Sequence, residues 1–322
     1  MHKRQFLRLL GGSPLLLGAS AFGQPSPWPA RPIRLVSPFA AGSTSDTTAR
    51  FVAQRLSGAL GQSVVVENMP GADGRIGMMA AKNAAPDGYT LVLGSWTNLA
   101  VNAVLIKDLP YDPLVDFKPV AGTVRSMLGI AVSGQSEIRT LADLVASARQ
   151  RPRALNFGNF ASGYRLATEW LSSLSGAVFT HVPYKTTSQM NTDLTGRQID
   201  VGMDGVPSMA PLVRSGQLRM LAVTGEQRHA LFPDVPTVRE TYPDYAIYGW
   251  SALMVRSDTP PAITTRLIDA MRQAMESAEG REYARSLGSE LLGRSGEQMR
   301  EYQSTQIETL RRVADAAGLR SS

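Results

Sequence analysis

Cysteine is absent from the 322 residues, which removes disulfides, thiolate metal ligands and a lipid anchor on cysteine, and leaves burial as the source of stability. Long apolar runs are scarce too. After residue 23 no window approaches the ~20 apolar residues of a membrane-spanning helix. Histidine is nearly missing, with three in all. Beyond His2 there are only His181 and His229, with no close His/Glu pair of the kind a catalytic zinc uses and no Gly-x-Ser-x-Gly elbow. No metal or cofactor is therefore expected. An exported hydrolase, a third function class weighed against binding and sensing, lacks a visible nucleophile and base.

What is present begins with an export signal. His2-Lys3-Arg4 precedes a mostly apolar run from Leu9 to Gly18, then small residues Ala19-Ser20-Ala21 and a stretch carrying Pro25, Pro27 and Pro29. Residues 1–23 are read as this signal and set apart from the fold. Lys3-Arg4-Gln5-Phe6-Leu7 also approaches a twin-arginine signal, so both export routes stay open. The formal charge of +6 loses Lys3, Arg4 and Arg8 with that segment, and 6 − 3 leaves +3. Nucleic acid is not an expected partner at that charge. With 43% apolar residues, the remaining chain suffices for two lobes of ordinary size.

The pattern predicts an α/β protein. Strands are expected at Ile33 to Val36, Val64 to Val66 and Tyr89 to Leu93, with a helix over Thr47 to Leu60 whose apolar residues recur at spacings of three and four. That order argues for a mostly parallel, covered sheet. A second strand–helix series begins near Ala131 and ends with the strand Arg219 to Val223. A further strand, Ser251 to Val255, then precedes helical stretches at about 260–278, 280–287 and 296–316. The expected organisation is lobe one from 28–127 and 250–322, lobe two from 128–249, and a hinge where the chain crosses twice.

Open α/β sheets bind ligands beyond the carboxyl ends of their strands, which points to strand-to-helix turns. The first is Phe39-Ala40-Ala41-Gly42-Ser43-Thr44-Ser45-Asp46, where small residues and hydroxyls meet the unpaired amides of a helix start. Asp46 has two readings: the third residue of a capping box with Ser43, or a group facing the ligand. The turn Asn68 to Gly77 lacks dinucleotide-fingerprint spacing. In lobe two, Asn159-Phe160-Ala161-Ser162-Gly163-Tyr164 opens another helix, so that two helix N-termini face one cleft. Arg165 reads either as a carboxylate partner or as a solvent-facing arginine. Ser95, Trp96 and Asn98 after one strand, Tyr184 after another and Asp204 after a third occupy further positions where a cleft residue sits, with loop packing as their alternative.

At these residues the chain resembles the periplasmic solute-binding receptors of tripartite tricarboxylate transporters, the Bug receptor family. The marks run in order through Trp28-Pro29-Ala30-Arg31-Pro32-Ile33, Pro38-Phe39-Ala40-Ala41-Gly42 with Asp46 and Arg50, and Val66-Glu67-Asn68-Met69-Pro70-Gly71-Ala72. They continue with Pro86-Asp87-Gly88-Tyr89-Thr90, Leu109-Pro110-Tyr111-Asp112, His181-Val182-Pro183-Tyr184-Lys185, Leu221-Ala222-Val223-Thr224 and Pro233-Asp234-Val235-Pro236-Thr237. The resemblance implies a type II periplasmic binding fold with two α/β lobes, a hinge and an inter-lobe cleft. It implies capture of a small carboxylate (an organic acid, acidic amino acid or aromatic acid) and delivery to a membrane permease of one large and one small subunit. A soluble periplasmic monomer is expected. Ser43 and Thr186 stand where the family commonly has glycine, and the turn from Asn159 to Tyr164 is about two residues shorter than its common form. The alternative function is a ligand sensor that signals to a sensor-kinase ectodomain.

Overall fold

β-branched runs become strands and the period-3.6 segments become the helices that cover them in the computed structural model, which describes residues 28–319. The export signal read over 1–23 lies outside the described residues. The first series is β1 (Ile33–Ser37), α1 (Thr44–Leu60), β2 (Val64–Asn68), α2 (Arg75–Lys82), β3 (Thr90–Ser95) and α3 (Asn102–Leu105). A long strand, β4 (Phe117–Ser133), follows. The second series is α4 (Leu141–Gln150), β5 (Asn156–Asn159), α5 (Ser162–Ser175), β6 (Thr180–Pro183), α6 (Thr187–Thr195), β7 (Val201–Gly205), α7 (Val206–Arg214) and β8 (Leu218–Val223). The chain then returns through β9 (Tyr248–Arg256), α8 (Pro261–Glu276), α9 (Ala278–Ser286), β10 (Glu290–Leu291) and α10 (Gly296–Ala316).

The strand order is β2-β1-β3-β9-β4-β7-β5-β6, with β10 and β8 also paired to β4. The outer strands are parallel, as the strand–helix alternation predicts. Every pairing made by β4 and β9 is antiparallel. β4 joins the two lobes: its residues up to Met127 pair with β9, and from Leu128 onward it pairs with β7 and β8. Thr224, fully buried, ties this junction to the return segment. Its hydroxyl accepts from the Leu128 amide at 2.9 Å and donates to the Ile247 carbonyl at 2.7 Å.

The core of the first lobe sits between α1, α8 and the sheet, around Leu35, Val52, Leu56, Leu91 and Leu253. A larger apolar cluster runs through both lobes and collects Trp96, Phe157, Leu166, Trp250 and the buried face of α10. α10 bridges the lobes. Gln303 donates to the Leu99 carbonyl at 2.9 Å, while the Ala316 carbonyl accepts from Ser173 of α5 at 3.1 Å. Among the described residues no helix is long and apolar enough to cross a membrane.

Candidate ligand-binding cleft

The turn from β1 into α1 shows how a helix start is held open. Gly42 has φ 82°, a left-handed conformation that glycine adopts without a Cβ penalty. Ser43 is the N-cap, its hydroxyl accepting from the Asp46 amide at 3.2 Å. Asp46 departs from the capping-box expectation by one residue, because its carboxylate accepts from the Gly42 amide at 2.9 Å rather than from that of Ser43. It also accepts from Asn68 at 2.9 Å and Arg50 at 3.1 Å. Burial by itself raises this acid, but those three donors outweigh it and hold the carboxyl below its ordinary range. With Asp46 so engaged, the amides of Thr44 and Ser45 precede the first intrahelical bond, which runs from the Thr47 amide to the Ser43 carbonyl.

The turn from β5 into α5 is built differently. Its N-cap, Ala161, has no side-chain acceptor to offer. The Ser162 amide instead donates across the cleft to Asp73 Oδ1 of the first lobe at 3.3 Å. Gly163 packs against Trp96 so closely that a Cβ there would lie 2.7 Å from the indole Cζ2. Phe160 meets Phe39 of the other lobe with ring centroids 5.6 Å apart, and Tyr164 meets Trp96 edge-on at 5.8 Å.

Between these turns lies a cavity of about 70 Å³, room for roughly five to seven waters at 10–15 Å³ each. Of the residues singled out from the sequence, Phe39, Ser95, Trp96 and Tyr164 line it. Ala40, Ala41, Gly42, Ser43 and Asp46 form the turn that shapes α1 and are not among its lining residues. Thr44 and Ser45, lying between them in sequence, are. The Ser95 hydroxyl and the Trp250 indole N–H, on two lining residues that are over nine-tenths buried, have no hydrogen-bond partner in the protein. No lysine, arginine or carboxylate lines the cavity.

The remaining candidates lie outside the lining. Asn98 turns its Oδ1 back to the Ser95 amide at 2.9 Å. Asn159 donates to the Gly158 carbonyl and presents Oδ1 to His181 Nδ1 at 2.7 Å, with Glu169 on the other ring nitrogen at 3.0 Å. Tyr184 is bonded to Asp193 at 2.9 Å. Arg165 is exposed and lies 3.8 Å from Glu169. Asp204 falls within β7 rather than after it. Burial pushes its acid up to about 6, against the pull of Ser208, the Gly205 amide, Asn191 and the Tyr164 hydroxyl. Sequence reasoning missed Ser126 and Leu128 of β4, and Gly249, Trp250 and Ser251 of β9, all of which line the cavity. They come from the crossing strands, where no strand-to-helix turn signals a site.

A partly open niche between two α/β lobes, lined by no charged side chain and with unengaged donors around it, defines a binding protein. The chain belongs to the tripartite tricarboxylate transporter family receptors, whose family model matches residues 48–319. This is a family of binding receptors and not of enzymes. Among curated relatives, a UPF0065 protein of Bordetella bronchiseptica is 39% identical over 252 residues, 78% of this chain and 75% of that one. Among solved structures, the R. palustris protein Rpa4515 with adipate is 34% identical with a TM-score of 0.87, covering 90% of this chain and 98% of that one. The periplasmic binding protein BugD is 27% identical, with a TM-score of 0.86 and coverage of 92% and 100%. MatC from Rhodopseudomonas palustris with bound malate is also 27% identical, with a TM-score of 0.84 and coverage of 89% and 99%.

Proposed function

We propose that this protein is an exported, periplasmic receptor that captures a small carboxylate between its lobes and hands it to a tripartite tricarboxylate-type permease. The observation that carries this reading is the set of unengaged donors at one cavity: the Thr44 and Ser45 amides at the start of α1, the Ser95 hydroxyl and the Trp250 indole. Buried donors are costly to leave unpaired, at about 1–3 kcal/mol each, and an acceptor-only anion satisfies several at once. Peptide amides at a helix start suit a carboxylate and add a favourable dipole. Support also comes from the adipate and malate bound by structural relatives.

Closure is proposed to be a hinge motion about β4 and the segment entering β9, with 28–127 and 250–322 moving against 128–249. The turns at 39–46 and 159–164 act as the two jaws, and Phe39, Ser95, Trp96 and Tyr164 touch the ligand. Asp46, Asn159 and Asp204 act behind them as positioning residues. The functional unit is the monomer. Calorimetry on protein refolded free of endogenous ligand, run against a panel of carboxylates, tests this. Saturable one-to-one binding of at least one acid is expected, and a flat response to every acid, together with no acid found by mass spectrometry of the native preparation, overturns it.

A further inference from the structure

The two jaws offer an anion unequal welcomes. Thr44 and Ser45 of α1 line the cavity, and their amides have no intrahelical acceptor. At α5 the Ser162 amide is already given to Asp73, and the Tyr164 amide turns back to the Ala161 carbonyl at 3.0 Å. Asp73 is built into that place. The fully buried Asn102 donates to its carbonyl at 3.1 Å, and the Ser162 hydroxyl donates to Asn102 Oδ1 at 3.1 Å, which closes a ring of three residues across the lobes. Asp73 also has φ 54°, a left-handed conformation that costs most side chains energy and that Asp and Asn tolerate best. Such strain persists where the surroundings over-determine it, and it clusters at ligand clamps.

The cavity walls complete the picture. Five aromatic residues, Phe39, Trp96, Phe160, Tyr164 and Trp250, line it with hydroxyls between them, and no cationic side chain does. Asp73 stands just behind this lining, on the Ser162 amide, so a second ligand carboxylate that takes the start of α5 has to approach or displace its negative charge, with no lining cation to balance it.

Resting on the carboxylate reading above, we infer that this receptor takes a monocarboxylate with an apolar body about the size of one aromatic ring, and that Asp73 supplies at α5 the charge a diacid would bring with its second carboxylate. The ligand's carboxylate lies at the start of α1, and its body lies among the aromatic walls.

Calorimetry on the refolded, ligand-free protein with two matched pairs, benzoate against terephthalate and hexanoate against adipate, tests this. In each pair the monoacid is expected to bind at least about tenfold tighter, because like charges face each other only in the diacid complex. Benzoate is expected to bind tighter than hexanoate. Asp73→Asn keeps the shape and the left-handed backbone but removes the charge. It raises diacid affinity relative to monoacid affinity at least about threefold. Asp73→Gly, free of strain at positive φ, repeats the comparison if the first variant folds poorly. A diacid that binds the unmodified protein more tightly than its monoacid, or a ratio that neither variant shifts, overturns the inference and leaves carboxylate capture standing. No response to any of the four acids overturns the inference, and the carboxylate reading falls with it only if the wider panel and mass spectrometry of the native preparation are negative as well.

Discussion

The starts of α1 and α5 have the same local recipe, a short strand, a turn of small residues and an amphipathic helix, yet they end in opposite states. At α1 the chain folds its own acid away: Asp46 is spent on Gly42, Asn68 and Arg50, and the first-turn amides stay unengaged beside the cavity. At α5 an acid from 89 residues earlier takes the Ser162 amide, and the helix start becomes a contact between lobes. A helix N-terminus is an anion site only where the protein's own carboxylates leave it vacant. Which of two matching turns meets that condition depends on tertiary contacts.

The largest expected effect comes from Asp204, which backs Tyr164 in the second jaw. Its folded acid is raised to about 6 from 3.8, so its ionised form costs stability. The penalty is absent below pH 3.8, grows as pH rises towards 6 and is constant above that, reaching about 3 kcal/mol by linkage for two such values. Asp204→Asn cannot ionise. Thermal melts from pH 4 to pH 7 are therefore expected to move in the variant's favour relative to the unmodified protein, and a pH-independent difference breaks this account of the second jaw.

Gly163 gives the next effect. A methyl placed 2.7 Å from the Trp96 ring blocks the approach of the jaws. Gly163→Ala should cost about 2 kcal/mol, in the range of other overpacking changes, read as a lower melting temperature and as weaker carboxylate binding. Equal binding by the variant means that the lobes do not need to meet there.

At the first jaw, Asp46→Ala removes three accepted hydrogen bonds, one of which is the partly exposed ion pair with Arg50. Chemical denaturation should show a loss of about 1–2 kcal/mol. The missing charge should not raise affinity, because that carboxylate is already neutralised by its partners; a large gain in affinity shows that Asp46 faces the ligand after all. Smallest of all, Ser95→Ala deletes one unengaged hydroxyl and should cost about 1 kcal/mol of binding, read by titration, with stability unchanged or slightly improved.

Much of the fold was legible. The Thr47 to Leu60 periodicity located α1 to within three residues of its start, because one buried face at 3.6-residue spacing has few other solutions. The C-terminal stretches expected at about 260–278, 280–287 and 296–316 correspond to α8, α9 and α10. β4 was not visible as one strand. It is buried along most of its length, so it shows no alternation, and its register shifts around Pro119 to Ala121 and Gly122 to Arg125 break any period. The strand-end rule led to the turns at 39–46 and 159–164 and to the Ser95–Trp96 corner, each of which contributes residues to the cavity lining. It had no means of finding Trp250 or Ser126, which reach the cavity from the middle of the crossing strands. Asp73 lay in a turn that reads locally as glycine-rich packing, and only the docking of the second lobe gives its carboxylate a partner.

A crystal structure of the protein with benzoate measures the central claim directly. The account predicts carboxylate oxygens within hydrogen-bonding distance of the Thr44 and Ser45 amides, the ring against Trp96 and Trp250, and Asp73 still bonded to Ser162. A carboxylate seated instead on the Ser162 amide with Asp73 displaced, or bound away from the inter-lobe cavity altogether, contradicts it.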